Sequence, residues 1–387
     1  MINRFRVQNY KALRDVSLDL TPIHVLIGPN DSGKTSILSA LAALCRSVDL
    51  HLEQAFGGAW DGRELVWHGD SEGVVRLSAD LSAGDIKTYA LDCRFPNAGR
   101  QVRVERESFS NYSQIDANKG ATDSLVRRVC VRNAAETAET QKVCRAVHEG
   151  LSGVHYYRWN PRTLALPVAP DSARQFRLNS DGFGLALLLD DILGFDRDRF
   201  NELEARFRSI FPEITSIKLL RQPGFRAPRD DVEQVSKLNQ ADGKGVYFAL
   251  RGNQQLVPAS QVSDGIMMIL GYLAILYTPH SPRVLLIDEP ENGIHPKRLQ
   301  EVLNILREIV SSQVRTQLVL TTHSPYAVSL FEPGEVTLCT KSDGEVKTKR
   351  LSDSKLVEEQ GSLFTLGEIW TAEGDEDLAQ DNSLSRS

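Results

Sequence analysis

The feature that most constrains this chain is the nonapeptide Gly28-Pro-Asn-Asp-Ser-Gly-Lys-Thr-Ser36. It follows the apolar run His24-Val-Leu-Ile27 and precedes a stretch with Ile37, Leu38, Leu41, Ala42, Leu44 and Cys45 at helical spacing. A GxxxxGK[ST] loop between an apolar strand and an amphipathic helix has both the string and the context of a phosphate-binding loop. Gly28 and Gly33 let the backbone close into a nest whose N–H groups face phosphates, and the following helix adds its positive amino end. Lys34 is placed to neutralise β- and γ-phosphates, and Thr35 to offer a hydroxyl to Mg²⁺. Asn30, Ser32 and Ser36 complete the candidate lining.

A second apolar run, Val284-Leu-Leu-Ile-Asp-Glu289, ends in two carboxylates. Taken alone, the pair is equally a solvated strand end. Beside a phosphate loop, Asp288 becomes the residue to hold Mg²⁺, directly or through water, and Glu289 the general base that polarises the attacking water. A third run, Gln317-Leu-Val-Leu-Thr-Thr-His-Ser-Pro325, presents Thr322, His323 and Ser324 at its polar end. A histidine at the carboxyl end of a parallel strand lies where open α/β sheets bind ligands, which makes His323 a candidate γ-phosphate sensor. His295, in the turn Pro290-Glu-Asn-Gly-Ile-His-Pro296, is more simply structural. Strands buried on both faces alternate with helices through this last third, so the fold class is α/β. The first and last thirds are expected to share one parallel sheet.

Composition narrows the partners. The 387 residues include 41% hydrophobic and 25% charged side chains, ordinary values that exclude a wholly disordered or fibrous chain. The formal net charge of −6 gives no bulk attraction for nucleic acid, so any such contact needs a local basic patch. Five scattered cysteines without a CxxC or Cys/His cluster favour a reduced, cytoplasmic protein without a structural metal. The amino terminus lacks the apolar stretch of a secretory signal. The most apolar segment, 266–277, is shorter than the roughly twenty residues that cross a bilayer, so no membrane partner is expected.

Along the chain, residues 2–27 read as three short strands and 55–107 as an antiparallel β lobe. Residues 108–123 read as a loop, 124–152 as a small protruding helical lid, and 184–210 as helical. Short strands at 214–220 and 246–250 flank a polar, Gly-containing loop near 221–245. The acidic, Ser-rich tail from Glu373 onward is expected to be disordered. The resulting division is a first lobe at 1–110, a helical or mixed insertion and lid at 111–250, a second lobe at 251–372, and a tail at 373–387.

The segments GPNDSGKTS, VSDGIMM (262–268), LLIDEPENGIHP (285–296) and TTHSP (321–325), in that order, resemble the ABC-type ATPases of the SMC, RecF and OLD-like branch, many of them described as AAA family ATPases. Asp181-Gly-Phe-Gly-Leu-Ala186 and Phe211-Pro-Glu-Ile214 add to the likeness to small RecF-like ATPases. The resemblance implies an ABC-ATPase-like P-loop head that binds ATP with Mg²⁺. It further implies that two copies close head to tail, with Ser263 and Gly265 of the signature reaching the γ-phosphate held by a second subunit. Residues 290–295 would form the subunit-contacting D-loop, His323 the switch histidine, and Lys11 in Tyr10-Lys11-Ala12 a nucleotide neighbour. The signature departs from the Leu-Ser-Gly-Gly-Gln of transporters, and Gln54 is a poor fit to the family's Gln loop.

The function expected from these residues is an ATPase that dimerises on ATP and acts in DNA maintenance or repair or in anti-phage defence, with a separately encoded nuclease or other effector. A transporter's nucleotide-binding subunit is the competing class, and the 254 residues between Lys34 and Asp288 exceed what a compact transport cassette requires. An OLD-type protein with its own Toprim nuclease domain is disfavoured, because 64 residues follow His323. A non-hydrolysing ATP-gated scaffold is the third alternative, and Glu289 argues against it. Arg127, Arg128, Arg158, Arg162, Arg174 and Arg177 are either a DNA-binding patch or solvated surface charges.

Overall fold

Alternation at the amino terminus builds a hairpin. Strands β1 (Ile2–Tyr10) and β2 (Leu13–Asp19) pair antiparallel, with Phe5 opposite Leu18 and Val7 opposite Val16. These four side chains are buried, while Arg4, Arg6, Asp15 and Asp19 between them stay exposed as ion pairs. The computed structural model describes all residues except 58–59, 84–85, 111–118, 171–175, 227–238, 313–315 and 381–387. After the hairpin, β3 (Ile23–Ile27) runs into the phosphate loop and α1 (Lys34–Arg46), followed by the short α2 (Leu52–Ala55). Strands β4 (Val74–Ala83), β5 (Ile86–Arg94) and β6 (Arg103–Phe109) extend the hairpin into an antiparallel sheet ordered β2-β1-β4-β5-β6, as the alternating sequence predicts.

The expected lid is not a lid. Helices α3 (Leu125–Cys130) and α4 (Ala138–Leu151) belong to the core beneath this sheet. Val126, Val143, Cys144 and Val147 bury in one cluster with Phe5, Val7 and Leu77. A Cβ added at Gly150 would lie 3.2 Å from Leu81 Cδ1, so the helix packs close to β4. The charges that suggested a solvated projection, Glu139, Lys142, Arg145 and Glu149, occupy only the outer face of an amphipathic helix. Strand β7 (Val154–Tyr157) follows.

The next segment contains α5 (Pro161–Leu164), α6 (Leu185–Phe195), α7 (Arg197–Ile210), β8 (Ile214–Arg226), β9 (Asn239–Leu250), β10 (Val257–Pro258) and α8 (Asp264–Tyr277). Most of the polar loop expected near 221–245 is strand, because β8 and β9 pair antiparallel as far as Arg226 opposite Asn239. Gly224 and Gly243, which read as loop residues, serve a close approach instead. A Cβ on Gly243 would come within 2.6 Å of Val168 O, and Val168 bridges to both strands there. Residues 227–238 of that loop lie outside the described residues.

The last third runs β11 (Val284–Asp288), α9 (Pro296–Ser312), β12 (Gln317–Thr321), α10 (Pro325–Val328), β13 (Val336–Ser342), β14 (Glu345–Arg350), α11 (Lys355–Gln360) and α12 (Leu366–Gln380). A second sheet is ordered β14-β13-β3-β12-β11-β7, with β13, β3, β12 and β11 mutually parallel. A strand from the first third is therefore inserted among strands of the last third, as expected. Leu26, Leu285, Leu286 and Leu320 are 0% exposed, which is why these strands read as unbroken apolar runs.

The chain divides into two compact units, 1–156 with 282–288 and 315–387, and 157–281 with 289–314. These units differ from the expected boundaries at 110, 250 and 372: α4 joins the first unit through its packing on β4 and β5, with α3 packed on α4, and α9 joins the second by packing on α8. The tail expected to be disordered from Glu373 is also corrected. Helix α12 continues to Gln380, broken only at Gly374 (φ 80°), and Leu378 is 0% exposed. Two of its acids are tied down: Trp370 Nε1 donates to Asp375 Oδ1 at 2.8 Å, and Gln360 Nε2 to Glu373 Oε1 at 2.6 Å, while Glu376 and Asp377 stay exposed. Residues 381–387 of that tail lie outside the described residues.

Candidate functional site

In the first unit, parallel register brings three strand ends to one edge. Asp288 ends β11 opposite Thr321 of β12, and Thr321 lies opposite Leu26 of β3, two residues before the loop. The loop backbone is left-handed at Gly33 (φ 88°) and Asp31 (φ 66°), and Gly28 has φ 131°. Both glycines are sterically required. A Cβ on Gly28 would sit 2.0 Å from Cys339 O of β13, and one on Gly33 would sit 2.7 Å from Val346 Cγ2 of β14. Cys339 is fully buried, and burial pushes its thiol up to about 12, so a neutral side chain underlies the loop.

Lys34 Nζ lies in the concavity of the loop, donating to Gly28 O at 2.9 Å, Pro29 O at 2.7 Å and Ser32 Oγ at 3.2 Å. Lys34 and Ser32 are buried, while Asn30 and Thr35 are exposed and Ser36 is half-buried. Lys34 Nζ is thus folded back onto the loop's own carbonyl and hydroxyl oxygens. Thr35 Oγ1 donates to Asp288 Oδ2 at 3.0 Å, and Thr321 Oγ1 donates to Asp288 Oδ1 at 2.6 Å. Asp288 is 3% exposed, so its carboxylate is oriented by two hydroxyls in a largely desolvated place. A hydroxyl and a carboxylate this close form an oxygen donor pair suited to a hard divalent cation. The residues present therefore fit Mg²⁺ and a polyphosphate.

Two residues of this site are not evident from the sequence. Thr321 is a hydroxyl in an otherwise apolar strand; that oddity is the only signal, and the adjacent Thr322, His323 and Ser324 obscure it. Lys341 on β13 pairs with Asp31 Oδ2 at 3.0 Å and pins the loop from the side; nothing in its sequence context marks it. His323 follows β12 at the same sheet edge and is half-buried. Lys11 occupies the β1–β2 turn with φ 49°, its Nζ 5.4 Å from the Tyr10 ring centroid. The turn is tied to Leu65 O through Lys11 N at 2.9 Å, and to α1 through Tyr10 Oη, 3.3 Å from Ser39 Oγ. Gln54 is exposed on α2.

The second unit holds the other candidates. Glu289 takes the left-handed conformation (φ 56°) directly after β11, a strained choice for a non-glycine residue and one that clusters at functional positions. Its carbonyl accepts from Asn292 N at 3.0 Å, opening the turn toward α9. His295 is exposed, and its Nδ1 accepts from Lys297 N at 3.2 Å at the start of α9. Ser263 is the N-cap residue of α8, yet its hydroxyl makes no bond to that helix and is exposed. Gly265 lies against the 290–295 turn: a Cβ there would be 3.7 Å from Gly293 O, and one on Gly293 (φ 73°) would be 3.1 Å from Asp264 Cβ. Residues 263–265 and that turn thus pack together within this unit.

The candidate basic residues are divided between the units: Arg127 and Arg128 belong to the first, Arg158, Arg162 and Arg177 to the second, and Arg174 lies outside the described residues. All five cysteines are free thiols. Among the described residues, no helix is long and apolar enough to cross a membrane.

Comparison with known proteins finds ATPase domains in both parts of the chain. Residues 1–121 match a family described as AAA ATPase domain, and residues 162–329 one described as AAA domain, putative AbiEii toxin, Type IV TA system. The Old nuclease of Escherichia phage P2 is 20% identical over 376 residues, covering 90% of this chain and 60% of that protein. The OLD nuclease of Thermus scotoductus is 44% identical over 41 residues, 11% of this chain and 8% of that protein. The ribose import ATP-binding protein RbsA 2 of Streptomyces avermitilis is 32% identical over 127 residues, 31% of this chain and 23% of that protein. The chain therefore spans less than two thirds of each of these relatives.

Among solved structures, an Smc head bound to the C-winged helix domain of ScpA matches with a TM-score of 0.52 at 14% identity, covering 90% of this chain and 96% of that one. An Smc head with an extended coiled coil from Pyrococcus furiosus matches with a TM-score of 0.52 at 11% identity, covering 93% and 99%. At such identities the likeness is one of fold.

Proposed function

Because this chain is an ATPase-domain protein of the SMC/RecF/OLD-like branch, we propose that it binds and hydrolyses ATP as a conformational engine, two copies closing head to tail around the nucleotide. The observation that carries this reading is Asp288 held between Thr35 and Thr321 at the mouth of the loop around Lys34. Lys34 and the loop amides bind and orient the β- and γ-phosphates, and Mg²⁺, held by Thr35 and Asp288, offsets their charge when bound. Glu289 orients the attacking water and accepts its proton, and His323 hydrogen-bonds the γ-phosphate. The exposed Ser263 hydroxyl, uncommitted to its own helix, supports a contact to phosphate bound by a second copy.

The biological setting we propose is DNA maintenance or anti-phage defence, with a separately encoded nuclease or other effector. Support comes from the length of the match to the P2 Old nuclease. The transporter reading rests on a shorter local match, and a non-hydrolysing scaffold leaves the strained Glu289 without a role. The test compares wild type, Lys34→Ala and Glu289→Gln for ATP turnover and mass in solution, with and without DNA. Glu289→Gln should lose about 10²–10⁴-fold in turnover and accumulate as an ATP-bound dimer. Lys34→Ala should not bind nucleotide. A Glu289→Gln protein that stays monomeric with ATP bound defeats the head-to-tail model.

A further inference from the structure

The last two helices of the first unit carry an apolar pair that the fold does not bury. In Leu363-Phe364-Thr365-Leu366, Leu366 is buried at the start of α12, and Ile369 one turn on is buried with it. Leu363, by contrast, is 78% exposed and Phe364 53%. A leucine or phenylalanine left singly at a surface is ordinary; two in succession are not. Among the described residues, no other two large exposed hydrophobics are consecutive in the chain.

A fixed turn holds the pair outward. The N–H groups of Leu363 and Phe364 both donate to Gln360 O, at 2.9 and 3.0 Å, just beyond α11. Thr365 N and Oγ1 each donate to Glu368 Oε2 at 2.8 Å, opening α12. Helix α12 then docks tightly on α10: a Cβ on Gly367 would lie 1.9 Å from Pro325 O, and Ser329 Oγ donates to Thr365 Oγ1 at 3.1 Å. Tyr326, which follows Pro325 on the helix against which the turn is docked, is 46% exposed and adds a third apolar side chain.

Charge narrows what can cover this surface. Residues 351–380 contain eight Asp and Glu against one basic residue, Lys355, so this stretch alone carries more negative charge than the −6 of the whole chain. Glu358, Glu359, Glu368, Glu376 and Asp377 are exposed. Thr365, Gln360 and Trp370, which bind Glu368, Glu373 and Asp375, are neutral and leave those charges in place. Such a stretch repels a nucleic-acid backbone and an anionic bilayer, and attracts a cationic polypeptide.

We propose that Leu363, Phe364 and Tyr326 are the apolar centre of a docking site for a second protein, which brings an apolar anchor flanked by Lys or Arg. An apolar centre with a charged rim is the usual anatomy of a protein interface, and a turn already fixed loses little entropy on binding. The acids steer the partner and the apolar side chains hold it. Identifying that protein with the separately encoded effector rests on the reading above; the docking chemistry does not.

A fluorescein-labelled amphipathic peptide of Leu and Lys is titrated with the full chain and followed by anisotropy across a salt series, beside a counterpart carrying Glu for Lys. The wild-type chain should bind the Lys peptide, more weakly as salt rises, and not the Glu peptide. Leu363→Ser/Phe364→Ser keeps every charge and should weaken binding about tenfold or more. Glu358→Gln/Glu359→Gln keeps the apolar pair and should weaken binding several-fold, with a flatter salt dependence. Should the apolar double variant fold poorly, Leu363→Ser alone removes the more exposed of the pair and should show part of the loss. ATP turnover without peptide is expected to stay at the wild-type level in these variants; a wild-type chain without turnover defeats the ATPase reading and leaves the docking measurements standing. Peptide binding indifferent to Leu363→Ser/Phe364→Ser, or equal binding of the Glu peptide, overturns the docking site. So does a dimer formed without nucleotide that Leu363→Ser/Phe364→Ser dissolves, which makes a second copy the occupant, or binding to phosphatidylglycerol vesicles that the same variant abolishes, which makes it a membrane.

Discussion

Serine caps four helices in ways that invite comparison: Ser124 before α3, Ser324 before α10 and Ser354 before α11 each accept a backbone N–H from their own helix, whereas Ser263 before α8 does not. The same residue type in the same position is committed in the first unit and uncommitted in the second. The phosphate loop shows the committed pattern at larger scale. Within the first unit Lys34 is bonded to the loop's own oxygens and Thr35 to Asp288. The signature turn, by contrast, keeps an exposed donor at a helix amino end, where an anion is stabilised. Committed side chains in one unit and an uncommitted hydroxyl in the other fit the proposed sharing of a site between two copies.

The largest effect should come from breaking that division of labour. Ser263→Glu should lower turnover by about 10²–10³-fold, the scale of losing one transition-state donor, with the added carboxylate repelling phosphate. Lys34→Ala should be inactive alone. Mixed in equal amounts, the two inactive proteins form heterodimers with one intact site, and about a quarter of wild-type sites should return. If turnover does not recover, the signature does not act across subunits.

Next in size is the loop itself. Gly28→Ala places a Cβ against the Cys339 carbonyl and should cost about 3 kcal/mol in denaturant unfolding, together with loss of nucleotide binding. Unchanged stability would mean that β13 can yield, contrary to a rigid cradle. Thr321→Val removes a donor to a buried carboxylate and should cost about 2 kcal/mol, seen as a raised Mg²⁺ requirement for turnover. Thr321→Ser should restore the Mg²⁺ requirement. If Val and Ser behave alike, the bond to Asp288 has no influence on the site.

The smallest effect is on the scaffold. His24 in β3 is 0% exposed between Thr21 and Thr337, and burial, aided by the Arg350 charge, lowers its pKa from 6.5 to about 3. Between those values the unfolded chain binds a proton that the folded one refuses, so stability rises with pH through this window and is complete above 6.5. Acidification from pH 6.5 to 5 should cost roughly 2 kcal/mol, and a His24→Gln protein should lose most of that slope in chemical denaturation. A slope identical in wild type and His24→Gln assigns the acid sensitivity to other groups.

Much of the site was legible because its chemistry is local. Residues 28–36 carry their own turn glycines, lysine and hydroxyl, and buried parallel strands announce themselves as apolar runs ending in Asp288 and His323. The errors fell where local sequence and tertiary packing disagree. Charges on one face of α4 suggested a lid although the other face is core. Gly224 and Gly243 suggested a loop although they admit the backbone of Val168. Acids from Glu373 onward suggested disorder although the helix continues to Gln380, with Leu378 buried and Trp370 and Gln360 binding Asp375 and Glu373.

The sequence by itself determined the phosphate loop, the acidic strand end and the α/β class, since each follows from side-chain type and period along a short stretch of chain. Only the tertiary structure decided that Thr321 steadies Asp288, that Lys341 pairs with Asp31, and that the Ser263 hydroxyl is spared from capping. Those are pairings between residues far apart in the chain, and they depend on strand order and helix docking, which no local pattern encodes.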